Sequence, residues 1–399
     1  MPDFRSVPDS DVPAFRSLVS YAFRPQEGPT DPDDVDPEDI PEEWKIGRRR
    51  ALYDGDDLLT VCKLIDFRTR VRGDYHPMDG LSAVASPPES RRQGLVGEML
   101  AATLEESRER GTYLSALWPF KRTFYGQYGW ATCSRGVEHD IDPDLLSFTR
   151  DHRHGTFVEV DADEWERLDV VHDAHGARYE LTMDRTEEWW RHRVFTGYDD
   201  DPFVYGWERD GELAAYVVYS VESGDDGRSL NVRDVAYVDH DALLALLRFF
   251  ADHDSQVDSV QFWTPADADL MDVVPNADDL DATLHVGPMV RLVDVPDALE
   301  ALSFPDDVAG SLVLAVDDPL AAWNDDTFRL VVEDGAASVK PTDEDVDVEL
   351  GVGALSQLYV GYRGADELAT VGDLAGEASA VELLGEAFPT RKTLLREGF

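Results

Sequence analysis

The sequence predicts an α/β protein built from three successive modules. Three observations carry that expectation. The chain is 399 residues long, enough for two to three domains at roughly 150 residues each. Short apolar and β-branched runs alternate with amphipathic stretches. One strand leads directly into a basic, glycine-containing helix start near residue 91. With 43% hydrophobic residues and 9 Trp, the chain can bury cores without disulfide staples.

In the first module, residues 2–7 read as a strand. Asp9, Ser10 or Asp11 can cap a helix whose apolar side is Phe15, Leu18, Val19 and Phe23. Residues 25–44, rich in Pro, Asp and Glu, read as a loop with room for a short helical segment. Leu58–Phe67 and Leu81–Ala85 are expected strands. Arg91–Arg110 is an expected helix that buries Leu95, Val96, Met99, Leu100 and Leu104. Tyr113–Leu117 returns as a strand, 121–128 as a short helix, and another strand starts at Trp130.

Asp140–Ser147 marks a transition. Tyr179–Met183, Phe203–Glu208, Glu212–Val218 and Val232–Val238 read as strands, Ala242–Phe250 as a buried helix and Val257–Trp263 as a strand. This order echoes the first module without a copy of its glycine motif. A third module begins near Met289, with Arg291–Val295 strand-like and Val295–Leu302 helical. Val313–Val316, Phe328–Val332 and Val346–Leu350 follow as strands, and 353–360, 365–370 and 377–387 as short helices. The acidic segment 333–345 reads as a turn, and Arg391–Phe399 carries apolar Leu394, Leu395 and Phe399.

Charge narrows the function classes. There are 83 Asp and Glu against 36 Lys and Arg, a net charge of −47, which disfavours nucleic acid and anionic membrane as partners. Only Lys45, Lys63, Lys121, Lys340 and Lys392 are lysines. An acidic, Lys-poor surface suits a cytoplasm with molar salt, where like charges are screened. We therefore expect a halophilic protein whose cooperative folding weakens below about 0.5 M salt. Unfolding midpoints in dilute buffer and in about 2 M KCl check this, and equal midpoints defeat it. Cys62 and Cys133 form no CxxC pair and no disulfide framework. His152, His154 and His192 form no HExxH, so no metal is expected. The polar N-terminus lacks a secretory apolar region and no apolar run approaches membrane-spanning length, so the expected location is the cytoplasm.

The sharpest local signal runs from Ala83 to Gly97, AVASPPESRRQGLVG. A strand ends, the chain turns, and a helix starts among Arg91, Arg92, Gly94 and Gly97. Unpaired N–H groups at such a start bind phosphate, glycine lets a ligand approach the backbone, and arginines add charge-assisted contacts. The stretch is neither a Walker motif nor GxGxxG. Without an anion it is an amphipathic helix with a basic first turn, which opposes the helix dipole.

These residues resemble the acetyl-CoA motif of the GCN5-related N-acetyltransferases, Arg/Gln-x-x-Gly-x-Gly/Ala, carried here by Arg91, Gly94 and Val96. Val96 departs from the usual small residue. The closer resemblance is to the Eis-like branch of that family, on Arg91–Leu95 and on Phe124-Tyr125-Gly126-Gln127-Tyr128-Gly129-Trp130. It extends over the chain, with the last module matched by layout. The resemblance implies tandem acetyltransferase folds, the second degenerate, then a sterol-carrier-like α+β domain, at 1–140, 141–288 and 289–399. It implies acetyl-CoA as co-substrate, a small-molecule amine or a protein lysine as acceptor, and a homo-hexamer. Val84 and Ala85 would meet the pantetheine arm. Arg91, Arg92, Gln93, Gly94, Leu95, Val96 and Gly97 would meet the pyrophosphate.

Acetyl transfer from a thioester needs an uncharged amine and a proton for the departing thiolate. The resemblance implies Tyr125 as the acid and the Phe399 carboxylate as the base. A phenol stays protonated at ordinary pH. A carboxylate with a pKa near 3.5 works as a base only when placed and partly desolvated. Tyr125, Tyr128, Trp189 and Trp190 also have a plain packing role open to them. Trp118 and Phe120 stand beside the tyrosine motif as candidate borders of the acceptor site. Two rival whole-chain readings remain: a non-catalytic acyl-CoA-binding or regulatory protein, and a lipid-binding carrier.

Overall fold

The computed structural model describes residues 2–35, 41–197, 200–225, 227–268 and 270–399. In chain order, β1 (Asp3–Ser6), α1 (Val12–Phe23) and a short α2 (Glu42–Lys45) lead into β2 (Arg48–Asp54), β3 (Asp57–Val71) and β4 (Asp74–Ala85). Then come α3 (Leu95–Glu109), β5 (Leu114–Leu117), α4 (Arg122–Gly126) and β6 (Ala131–Thr132). The middle of the chain forms β7 (Arg135–Ile141), β8 (Thr156–Glu159), α5 (Trp165–Gly176), α6 (Glu187–Trp189), β9 (Phe203–Arg209), β10 (Glu212–Gly224) and β11 (Gly227–Tyr237). It continues with α7 (His240–Ala251), β12 (Ser259–Pro265), α8 (Leu270–Val273) and β13 (Asp281–Val286). The last stretch is β14 (Met289–Leu292), α9 (Val295–Glu300), β15 (Gly310–Asp317), β16 (Asp326–Glu333), β17 (Ala336–Pro341) and β18 (Val348–Gly351). It closes with α10 (Val352–Tyr359), α11 (Ala365–Val371), β19 (Leu374–Gly376) and α12 (Ala378–Ala387).

These elements form two compact units. The first takes Met1–Ile40, Gly47–Ser134 and Pro288–Phe399, the second Pro41–Ile46 and Arg135–Gly287. The first unit holds a sheet ordered β1-β2-β3-β4-β5-β14-β6 and a second sheet ordered β17-β16-β15-β18-β19. Strand β14, which the sequence reading put at the head of the third module as Arg291–Val295, instead lies antiparallel between β5 and β6. All four of its residues are buried, so its apolar run is that of a central strand with both faces covered. Under this sheet, Met99, Leu100 and Leu104 of α3 pack with Cys62, Leu64, Leu81, Tyr125, Trp130 and Met289.

In the second unit the sheet is ordered β13-β7-β12-β11-β10-β9-β8. Helix α7 buries Ala242, Ala245, Leu246, Leu247 and Phe250 against Leu230, Val257, Val260 and Phe262. Trp190 is fully buried and Trp189 nearly so, and the Trp190 indole donates to Asp169 at 2.8 Å, so both belong to the core.

Three further expectations are corrected. The helix expected from Arg91 starts at Leu95, because Arg92 (φ +59°) and Gly94 (φ +86°) are left-handed and no right-handed helix runs through them. Tyr179–Met183 is not a continuous strand; Leu181, at φ +69°, breaks the extended run. The acidic segment 333–345 contains β17, an edge strand pairing β16 from Phe328↔Pro341 to Glu333↔Ala336. Only Val339 is buried there, which is why its sequence looks like a turn. No helix of the described residues is long and apolar enough to cross a membrane.

Candidate active site

The site is built where β4 parts from β5. The two strands run parallel from Met78↔Leu114 to Gly80↔Ala116. Leu81–Ala85 continue β4 beyond that last pair, held on the other side by β3. Within this stretch the β3–β4 register shifts between Val61 and Lys63, and Ala83 sits at φ +52°. A bulge of this kind releases backbone groups from the ladder. The Thr60 hydroxyl donates to the Ala85 carbonyl at 2.9 Å, and Ser86 donates to Thr60 at 2.8 Å. The Ala85 oxygen is thereby engaged, and the end of the strand is fixed.

From there the chain turns through Pro88–Ser90 into α3. The Arg91 Nε donates to the Ser86 carbonyl at 3.1 Å, and its guanidinium lies 5.8 Å from the Tyr21 ring centre. Gln93 folds back to donate to the Glu89 carbonyl at 2.7 Å. Arg91, Arg92, Gln93 and Gly94 are exposed; Leu95, Val96 and Gly97 are half-buried. Gly94 is the N-cap and brings no side chain to the first-turn N–H groups. Those donors therefore stay open to an outside acceptor. A Cβ on Gly97 would stand 3.1 Å from the Tyr128 hydroxyl, which thus lies over the first turn of α3.

The equivalent helix start in the second unit is closed. Helix α7 begins beside a carboxylate of its own: Asp239 accepts from the Ala242 N–H at 2.9 Å. Arg209 in turn binds Asp239 at 2.6 Å and Asp241 at 2.8 Å. The position that an external anion would take is already filled and charge-balanced.

Tyr125 is on α4, 4% exposed. Its ring meets those of Phe124 at 5.1 Å, Phe120 at 5.5 Å and Trp130 at 6.4 Å, all edge-on. Burial, with Cys62 nearby, pushes its phenol well above the usual tyrosine value, so it stays protonated at neutral pH. Among the described residues no hydrogen bond engages its hydroxyl. Phe399 is half-buried. Its ring lies edge-on to Phe67 at 4.9 Å and against Gly80, where a Cβ would come within 2.9 Å of it. Gly80 is the last residue to pair with β5, so Phe399 sits where the strands separate. The Trp118 indole donates to the Glu397 carbonyl at 2.8 Å and buried Leu395 anchors the same segment. Leu81 beside Gly80 shares a core with Tyr125.

Sequence reasoning missed the Thr60–Ser86 brace, the carboxylate cap of α7 and the buried Arg291. The brace and Arg291 have no local signal, since each acts through a partner distant in the chain; the α7 cap does have one, an Asp three residues before Ala242 at the helix start. Cys62 and Cys133 are both free and buried. No group of three or more His, Cys, Asp or Glu suited to a metal exists among the described residues.

Residues 3–133 and 181–292 each match an Acetyltransferase (GNAT) domain family, and 295–396 match the Sterol carrier protein domain. An "Uncharacterized N-acetyltransferase" of Streptomyces griseus is 28% identical over 332 residues, 76% of this chain and 77% of that one. The "N-acetyltransferase Eis" of Mycobacterium tuberculosis is 26% identical over 353 residues, 84% of each. Among solved structures, a GCN5-related N-acetyltransferase from Anabaena variabilis superposes with a TM-score of 0.84 at 20% identity, covering all of both chains. Eis1 from Mycobacterium abscessus gives 0.77 at 19%, again over all of both. Those structures share the fold. With two GNAT-type domains followed by a sterol-carrier-like domain, and with weak but recurrent similarity to Eis-type enzymes, this chain is an acetyltransferase of the GNAT superfamily.

Proposed function

We propose that the first GNAT domain transfers the acetyl group of acetyl-CoA to a primary amine, on a small molecule or a lysine side chain, in the manner of the Eis-like branch. The observation that carries this reading is the succession along one stretch of chain: a strand released from its neighbour, a bulge at Ala83, and a helix start with no side-chain cap. Acetyl-CoA, when bound, supplies an acyl thioester. The open N–H groups of Gly94, Leu95, Val96 and Gly97 suit its pyrophosphate, with Arg91, Arg92 and Gln93 as polar neighbours. The bulged backbone at Val84 and Ala85 suits the amide-bearing pantetheine arm.

In this reading Tyr125 gives its proton to the leaving thiolate. Burial keeps the phenol protonated in the free protein, so the proton is present when the thioester is bound beside it. The Phe399 carboxylate takes the ammonium proton of the acceptor. Contact with Phe67 and Gly80 holds Phe399 in place, as a weak base requires. Exposed Trp118 and Phe120 border the acceptor side, and Phe120 meets the Tyr125 ring edge-on. A cytoplasmic location and a homo-hexamer complete the proposal.

The test is a calorimetric titration of acetyl-CoA into the salt-stabilised protein, followed by thiol-release assays on a panel of polyamines, aminoglycosides and lysine peptides. Tyr125→Phe, and removal or extension of Phe399, should cut turnover strongly while acetyl-CoA binding persists. Absence of acetyl-CoA binding overturns the assignment. Wild-type turnover in either variant removes that residue's role.

A further inference from the structure

We infer that Arg291, backed by Asp318, is a positioning residue for the turn that carries Tyr125, so that the sterol-carrier-like segment sets the place of the acid. This rests on the reading of Tyr125 just given. Arg291 stands on β14 and is fully buried. Each arm of its guanidinium has a partner in a different part of the unit. The Nε donates to the Leu292 carbonyl at 3.1 Å, one terminal nitrogen to the Tyr128 carbonyl, and the other to the Asp318 carboxylate. Its flat face lies 5.0 Å from the Trp130 ring centre.

The Tyr128 carbonyl belongs to a turn that closes on Tyr125. The N–H groups of Tyr128 and Trp130 both donate to the Tyr125 carbonyl, at 3.0 and 3.3 Å. Gly129 holds φ +88° there. A Cβ on it would meet Val352 at 2.5 Å and Arg291 at 3.1 Å, so only glycine lets the guanidinium come this close. Behind Arg291, Asp318 is fixed by the other segment. It accepts from the Leu320 and Ala321 N–H groups and from the Asn324 amide, each at 3.0 Å. Asn324 in turn accepts from the Val295 N–H at 2.9 Å. A continuous set of directional bonds thus runs from the loop after β15, through Arg291, to the turn bearing Tyr125.

Stability alone does not account for this arrangement. A buried ion pair adds little over a well-packed apolar pair of the same volume, whereas one orphaned charge is costly. What an apolar pair cannot supply is a donor aimed at the Tyr128 carbonyl. Catalytic geometry is sensitive at this scale: a misplacement of about 1 Å costs up to roughly 100-fold in rate.

The experiment uses the full chain and compares wild type, Arg291→Met, the charge-neutral pair Arg291→Met/Asp318→Asn, Arg291→Lys and Tyr125→Phe. Arg291→Met should lower both Tm and kcat. The neutral pair should regain most of the Tm, having no orphaned carboxylate. It should stay about 10- to 100-fold down in kcat, with acetyl-CoA affinity unchanged, because the Tyr128 carbonyl still lacks its donor. Arg291→Lys, which keeps one donor, should fall between them. Added to Tyr125→Phe, the neutral pair should cost little more, as expected of groups acting through one another. The proposal is overturned if kcat returns together with Tm, or if the losses from the neutral pair and from Tyr125→Phe multiply. A Tyr125→Phe protein with wild-type kcat fails differently: it removes the acid reading, and with it the reason for the clamp.

Discussion

Gly80→Ala probes the proposed base without touching its carboxylate. The added Cβ would stand 2.4 Å from Cε2 of Phe67 and 2.9 Å from Cε2 of Phe399, both too close, so at least one ring must move. Phe67 is 6% exposed and embedded in β3, whereas Phe399 is half-buried; the Phe399 ring yields more easily. Overpacking of this kind costs about 1–3 kcal/mol. At about 2–4 °C per kcal/mol for a domain of this size, Tm falls by several degrees. A shift of the Phe399 carboxyl of about 1 Å lowers kcat by up to roughly 100-fold. Acetyl-CoA affinity should stay within about twofold, since the α3 start is untouched. The assay is steady-state thiol release with the fastest amine of the panel, alongside calorimetric binding and thermal unfolding. A Gly80→Ala protein that loses the expected Tm but keeps wild-type kcat would refute the idea that the place of Phe399 matters for turnover.

Three other outcomes follow from the geometry. Gly94→Ala must hold an alanine at φ +86°, costing about 1–2 kcal/mol; relaxation of the turn should weaken acetyl-CoA binding about 10-fold, measured by titration. Asp239→Ala removes the cap of α7 and one partner of Arg209. It should destabilise the protein by about 0.5–2 kcal/mol in denaturant unfolding, with acetyl-CoA affinity unaltered. His139, buried and accepting or donating to Thr264 at 2.9 Å, has its pKa lowered to about 4 by desolvation. The unfolded chain takes up that proton first as pH falls. Stability present above about pH 6.5 is therefore lost toward pH 4, by at most about 3 kcal/mol. Asp173, pushed up to about 6 by partial burial and by Asp169 and Asp184, acts in the opposite sense, favouring the folded state at low pH. The comparison is thus between wild type and His139→Gln, whose acid limb in chemical denaturation should be shallower; identical limbs would count against the assignment.

Much of the candidate site's local geometry could be read from the sequence, because strand end, turn and glycine-bearing helix start follow one another within a few residues. What could not be read depends on partners far away in sequence. Arg48–Asp54 begins with three arginines and does not look like a strand. Arg48 and Arg50 are tied to Glu106 of α3 by bonds of 2.6–2.9 Å, which lets charged residues occupy the half-buried positions of β2. Helix α5 was hidden because His172 and His175 fill core positions beside Leu168 and Val171. His172 is satisfied there by the Met183 carbonyl at 2.9 Å. The Met289–Leu292 run looked like the opening of a new domain because hydrophobic pattern identifies a strand but not the sheet that receives it.

That last strand has a consequence for biosynthesis. Leu117 and its neighbour Met289 are separated by about 170 residues; at ribosomal speeds of about 5–20 residues per second, roughly ten to thirty seconds pass between their appearances. Throughout that interval the nascent β5 has an unfilled flank, an edge of the sort that invites mispairing with other chains. The first GNAT-type domain is translated first, yet its sheet is completed only after the entire middle domain has left the ribosome.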